Sequence, residues 1–375
     1  MYGLVLAGGG ARGAYEVGAW RAISDLGLEI GAICGTSIGS INGAAFAQGD
    51  ADKAERLWRD ISAADVVDMS NMNGAKMVSL KNIKAVLEEF KKNKGMSMQP
   101  LEDILRDIID EEKLLKSPVD FGLMTYSLTD FSEAAMFKND IPKGKLIDYL
   151  MASACMPGIK TKVIDEKSFI DGCVTDNKPI GMLIERGYRD IIAVDVGGFG
   201  IVKPIKNSGI NLIEVRCEAP ELGVMQFDRE RIARSIKSGY IDTKRAFGQL
   251  CGKKYAFRTA DYIRTRKHLS EELLDGLEIA ADMLDIDKLR EYTAESLSRK
   301  VCDKYKEALA EYGDINIETL IGKKEKNKTV LLVKAVQMNM SGEADILCGR
   351  LIGNMFKDFT HAINAMAYFL EKAEI

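Results

Sequence analysis

Ser37 has the surroundings that speak most directly of chemistry. It stands in Gly35-Thr36-Ser37-Ile38-Gly39, a G-x-S-x-G spacing. A short apolar run (30–34) precedes it and a small-residue stretch with helical character (38–47) follows. Strand, sharp turn and helix in that order make a nucleophile elbow. A tight turn leaves no room for side chains beside a residue in a strained conformation, which explains Gly35 and Gly39. The serine oxygen then stands beside a helix N-terminus, whose dipole favours developing negative charge. One pentapeptide of this kind is a weak signal, so its context has to decide.

The context lies at the N-terminus. Residues 3–7 read as a buried strand that runs into Gly8-Gly9-Gly10-Ala11-Arg12-Gly13. A helix follows over 14–26, with Val17, Ala19, Trp20 and Ile23 on helical spacing. A glycine-rich loop at a helix N-terminus presents backbone N–H groups to an anion. Two chemistries use such a cradle. Gly8, Gly10 and Gly13 satisfy G-x-G-x-x-G, the loop of an NAD(P)-dependent oxidoreductase, but that site wants a ribose-binding acid at the end of the second strand. Here that strand ends in Cys34-Gly35-Thr36-Ser37, and Glu29 lies before it, at the wrong edge. An oxyanion hole for acyl transfer is the better reading, built on the loop Gly8, Gly9, Gly10, Ala11, Arg12 and Gly13 together with the N–H of Ile38.

A serine nucleophile needs a base. The chain has two histidines, His268 in a charged, loop-like stretch and His361 far along a C-terminal helix, and both read as structural or surface residues. The base is therefore sought among carboxylates. Asp171 closes the strand-like run Ser168-Phe169-Ile170 and precedes Gly172. An aspartate there can hydrogen-bond a serine hydroxyl directly, or it can simply open a turn before glycine. A second Asp-Gly pair, Asp275-Gly276, sits in an acidic amphipathic segment and reads as surface.

Together these blocks resemble the patatin-like phospholipases, lipid acyl hydrolases with a Ser–Asp dyad. Gly8–Gly13 matches the oxyanion loop and Gly35–Gly39 the elbow. Ala152-Ser153-Ala154-Cys155-Met156-Pro157 matches an A-S-x-x-x-P block, and Asp171-Gly172-Cys173 falls at the Asp-Gly-Gly or Asp-Gly-Ala motif. The resemblance spans about residues 1–250. It implies Ser37 as nucleophile, Asp171 as general base, a lipid or ester substrate, and neither cofactor nor metal. Cys173 departs from the family's Gly or Ala and leaves a thiol beside the expected site. Arg12 either orients the loop or meets a lipid phosphate. A catalytically silent interaction protein with a vestigial elbow is the remaining alternative.

The chain has 375 residues and a net charge of −4, which gives nucleic acid no electrostatic footprint. Seven cysteines without C-x-x-C spacing argue for reduced thiols and against a zinc site or disulfide framework. The reading is cytoplasmic, with peripheral membrane contact through the lipid substrate. No leader is expected ahead of the first strand, and no apolar run is long enough to span a bilayer.

Alternating strands and helices predict an α/β fold, a mostly parallel sheet flanked by helices on both faces. Strands are expected near 121–127, 191–196 and 211–216, and helices over 50–64, 98–111, 146–154 and 229–250. The acyl hydrolase core is placed at 1–257. An insertion at 66–99 carries five methionines and an amphipathic pattern, suiting either a lid or an ordinary packed helix. Residues 258–375 read as a mainly helical accessory region, with a strand at 329–338 and a long helix over 342–372. Acyl-chain length, head group, hydrolysis versus transacylation and oligomeric state are not legible in the sequence.

Overall fold

The computed structural model describes residues 1–68, 96–156, 158–205, 209–315, 327–341 and 356–373. Most of the insertion at 66–99, Pro157 and the first part of the expected helix over 342–372 lie outside the described residues. The chain divides into two compact units, Met1–Ala246 and Phe247–Ile375.

The first unit is built on an eight-stranded sheet. Its strands are β1 (Tyr2–Leu6), β2 (Ile30–Thr36), β3 (Asp120–Ser127), β4 (Ser132–Phe137), β5 (Lys162–Ile164), β6 (Lys167–Asp171), β7 (Asp190–Asp195) and β8 (Asn211–Arg216). The run β3-β2-β1-β7-β8 is parallel throughout, and β4, β5 and β6 add antiparallel pairings on the β3 side. The helices of this unit are α1 (Ala14–Asp25), α2 (Ile38–Ala47), α3 (Ala51–Asp60), α4 (Gln99–Ile108), α5 (Glu111–Lys116), α6 (Leu146–Ser153), α7 (Ile180–Glu185) and α8 (Arg229–Ala246). Both sheet faces are covered. Val5, Ala32, Cys34, Ile191 and Ala193 pack with Ile180, Met182 and Leu183 of α7. The alternate residues Leu6, Ile33 and Phe121 lie under Gly43 of α2. Strands buried on both faces read as continuous apolar runs, which is why the sequence shows them so clearly.

The register around β3 matters most. β4 occupies one edge of β3 from Gly122 to Ser127. The other edge is shared in succession. β2 pairs along it up to Thr36↔Met124, and β6 takes over at Thr125↔Asp171. β2 therefore leaves the sheet at Ser37 where β6 enters with Asp171.

A buried polar chain ties α1, α2 and α3 together. The Trp58 indole N–H donates to Asn42 Oδ1 at 2.9 Å. Asn42 Nδ2 donates to the carbonyl of Gly13 at 3.0 Å and to Glu16 Oε2 at 2.8 Å. Glu16 is fully buried, and desolvation raises its carboxyl well above the ordinary range against a smaller downward pull from Asn42.

The second unit is mainly helical: α9 (Thr259–Thr265), α10 (Glu271–Met283), α11 (Ala294–Tyr312), α12 (Lys328–Ser341) and α13 (Phe356–Ala373), with a small sheet of β9 (Leu250–Cys251), β10 (Ala256–Arg258) and β11 (Glu291–Tyr292). Leu274, Leu277, Leu297, Val301, Val336 and Met366 lie in its core. The strand expected at 329–338 is helix α12. Its β-branched residues suit a strand, but Val330, Val333 and Val336 are buried on one helical face. A short apolar run does not distinguish strand from buried helix. Among the described residues no helix is long and apolar enough to cross a membrane.

Glu16 supplies a test of the core. Its folded-state pKa is raised, so the unfolded chain loses this proton first as pH climbs above about 4.5, and native stability falls relative to a neutral side chain. Glu16→Gln is therefore expected to unfold at higher urea than the parent at pH 8, with the gap narrowing toward pH 4. A gap independent of pH would contradict the buried neutral acid.

Candidate active site

Ser37 sits between β2 and α2 with φ 56° and ψ −128°. A positive φ is costly for a side chain with a Cβ, by about 1–3 kcal/mol, and persists only where the surroundings enforce it. Here they do. A Cβ on Gly35 would strike the backbone of Gly39 and Ser40, and one on Gly39 would strike the carbonyl of Leu6. The Ser37 N–H donates to Ser153 Oγ at 2.9 Å, and that hydroxyl donates onward to the Met124 carbonyl at 2.7 Å. Thr36 Oγ1 donates to the Asp176 carbonyl at 2.8 Å. The elbow is thus braced from α6, from β3 and from the turn after β6.

Asp171 is fully buried. Its Oδ1 accepts from the Cys173 N–H at 2.8 Å, as a residue opening a turn would, while Oδ2 is buried with no hydrogen-bond partner. The turn-opening role is therefore taken by Oδ1, and Oδ2 is left unoccupied. Burial pushes its pKa up to about 6. The Cys173 N–H, the Ser37 hydroxyl and the Cys173 thiol each pull it partly back. The hydroxyl thus acts on the carboxylate without completing a hydrogen bond of standard geometry. Gly172 is required because a Cβ there would meet the backbone of Met124. The Cys173 thiol lies beside the carboxylate and is itself pushed up by burial and by Asp171, which keeps it protonated.

Two cavities meet at Ser37. One, of about 320 Å³, is shared with Asp171, Gly8, Gly9, Cys173, Asn177 and Phe199. The other is a narrow, almost wholly apolar slot whose walls include Ile38, Ile41, Trp58, Leu101, Met156 and Phe227. Neither lining includes a histidine. His268 and His361 both belong to the second unit.

The glycine loop is more differentiated than its sequence suggests. The N–H of Gly8 donates to the Asn177 carbonyl, that of Ala11 to Val224 and that of Arg12 to Gly9. Gly13 is buried at the end of the loop, its carbonyl held by Asn42. No acceptor among the described residues takes the N–H of Gly9, Gly10 or Ile38. Gly9 lines the first cavity, and Gly10 and Ile38 the second. Arg12 straps the loop down, with Nε donating to the Leu222 carbonyl at 2.9 Å and Nη1 to the Gly197 carbonyl. Sequence reasoning did not find Ser153 or Asn177 as supports. Asn177 Nδ2 donates to the Gly8 carbonyl at 3.2 Å. Each acts on a partner more than a hundred positions away, and only the A-S block and the Asn after Asp-Gly hinted at either.

A hydroxyl in a strained elbow, a buried carboxylate with a vacant oxygen and three unengaged N–H groups together equip a site for nucleophilic attack on a carbonyl. If Asp171 is the base, kcat/KM for a soluble ester should rise with pH through about 6 and then level. The raised pKa also means that native stability falls between pH 3.8 and about 6, a loss of about 3 kcal/mol at neutral pH that Asp171→Asn should remove. A pH-independent rate between pH 4.5 and 8 would contradict this. Ser153→Ala should leave the buried Ser37 N–H unpaired, costing about 1–3 kcal/mol in urea unfolding and lowering kcat more than it raises KM.

Comparison with known proteins gives the same direction. Residues 4–184 match the family described as Patatin-like phospholipase. The chain is 27% identical over 215 residues to Lysophospholipase NTE1 of Mycosarcoma maydis, covering 54% of this chain and 10% of that protein. It is 28% identical over 199 residues to Patatin-like phospholipase domain-containing protein 7 of Rattus norvegicus, covering 52% of this chain and 13% of that one. The chain thus spans only a small part of the length of these relatives. Among solved structures it resembles VipD from Legionella pneumophila with a TM-score of 0.43 and 14% identity, over 99% of this chain and 91% of that one, too distant to bear on function.

Proposed function

We propose, from the match of residues 4–184 to the patatin-like phospholipase family, that the chain hydrolyses acyl esters of phospholipids or lysophospholipids through a serine acyl-enzyme. The observation that carries this reading is the buried, partnerless Oδ2 of Asp171 in the cavity that also holds Ser37.

Asp171 takes the proton of the Ser37 hydroxyl as Oγ attacks the ester carbonyl carbon. The resulting oxyanion accepts hydrogen bonds from the N–H groups of Gly9, Gly10 and Ile38. When the tetrahedral intermediate collapses, the carbon–oxygen bond to the alcohol breaks and Asp171 returns the proton to that alcohol. Water then adds to the acyl-enzyme with Asp171 again as base, Ser37 is regenerated and the fatty acid leaves. The apolar slot beside Ile38 and Ile41 suits the acyl chain, and the wider cavity beside Asp171 suits the leaving alcohol and the incoming water. A carboxylate titrating near 6 is mostly ionised at neutral pH yet more basic than an ordinary aspartate, which fits direct proton abstraction with no imidazole.

Ser37→Ala and Asp171→Asn are each expected to lower turnover of p-nitrophenyl esters and defined phospholipids by about 10³-fold with the fold intact. A fluorophosphonate should label the parent at Ser37, read by peptide mass. Parental turnover in either folded variant, or NAD(P) binding without labelling, would contradict the proposal.

A further inference from the structure

The stretch that follows β7 presents a surface that the hydrolytic reading does not use. Phe199 is 69% exposed, Ile201 56%, Val202 49% and Ile205 39%. Elsewhere in the described part of the first unit, large exposed apolar side chains stand singly, at Met1, Leu115, Phe131 and Val163. Scattered apolar residues on a surface need no explanation, but a contiguous group marks an interaction site.

The exposure does not come from a loosely held backbone. The Ile201 N–H donates to the Cys173 carbonyl at 2.9 Å, and the Ile201 carbonyl accepts from the Asn177 N–H at 2.6 Å. The Gly197 N–H donates to Asp195 Oδ1 at 2.9 Å, and Arg12 holds the Gly197 carbonyl. A Cβ on Gly198 would collide with the carbonyl of Gly8, and one on Gly200 would crowd Cys173 and Asn177. From Gly197 to Ile201 the main chain therefore lies against the glycine loop and the turn after Asp171, and the large apolar side chains of the stretch are left exposed. Phe199 and Ile201 also line the cavity that holds Ser37 and Asp171, so the patch is continuous with the mouth of the site.

We propose that residues 199–205 seat this mouth on a lipid surface, with Phe199, Ile201, Val202 and Ile205 entering the interfacial layer of a bilayer. This rests on the reading of Ser37 as a lipid hydrolase nucleophile. An apolar rim touching the bilayer gives an acyl ester a route to Ser37 that avoids exposing its chain to water. The cation in this stretch, Lys203, is paired with Glu133. The contact is thus apolar rather than electrostatic, and a zwitterionic surface suffices with little dependence on salt.

Flotation of the full chain with vesicles of phosphatidylcholine alone tests this. The parent should co-float at both low and high salt. Val202→Ser with Ile205→Ser, two positions outside the cavity lining, should lower the partition coefficient by about tenfold. The same variant should hydrolyse monomeric p-nitrophenyl acetate at the parental rate and vesicular phospholipid at a rate reduced in step with partitioning. Equal partitioning of parent and variant would overturn the proposal. So would a parent that does not float but forms a concentration-dependent dimer lost in the variant, since the patch would then serve a second copy of this chain. Ser37→Ala should float like the parent. If Ser37→Ala stays active, the hydrolytic reading fails whatever the vesicles do. If it is inactive while the double variant floats normally, only the docking surface fails.

Discussion

The arrangement depends on one buried carboxylate. Asp171 has one oxygen tied to the Cys173 N–H and the other left without a partner in the protein. An unpaired buried acceptor is costly, and native structures keep one only where something compensates or where chemistry uses it. The sheet supplies the reason for its position. β2 and β6 share one edge of β3, so the strand that leads into Ser37 and the strand that ends at Asp171 meet in adjacent rows. The juxtaposition is made by register and needs no long side chain to reach across a gap.

The rest of the first unit reads as support for that meeting. Ser153 and Met124 hold the elbow, Thr36 reaches the turn after β6, and Asn177 grips the glycine loop. The chain Trp58–Asn42–Glu16 joins the end of that loop to the helix behind Ser37 and to a wall of the apolar slot. Such networks carry weight because every member is buried, where losing a partner is expensive. Side chains locked in this way can hold a hydroxyl, a carboxylate and a set of N–H groups at a fixed geometry, which direct proton transfer requires.

Much of this was legible in the sequence, for physical reasons. Strands β1, β2, β3 and β7 are buried on both faces and appear as apolar runs. The glycines of the elbow and of Asp-Gly sit where a Cβ would hit backbone, so they form short motifs. The two readings of Asp171, turn opener and partner of Ser37, do not exclude each other, because Oδ1 takes the Cys173 N–H and Oδ2 is left without a partner. Less visible was which N–H groups of the glycine loop stay free. That depends on the carbonyls of Asn177 and Val224, far along the chain, and no local pattern encodes it. Helix α12 looks like a strand over four apolar residues, 330–333, and only the longer span of buried positions shows its helical period. The outward face of residues 199–205 was hidden because exposure is decided by what the backbone packs against, and the sequence there, mostly apolar with one lysine, does not show it.

The most direct measurement is titration of the Asp171 carboxyl itself, by its carbon-13 resonance in protein labelled at aspartate, with Asp171→Asn to assign it. A midpoint near 6 is expected, shifted upward in Ser37→Ala, where the hydroxyl that helps hold the charge is gone. A midpoint at the ordinary 3.8, unmoved by loss of the Ser37 hydroxyl, would contradict a buried base acting on that serine.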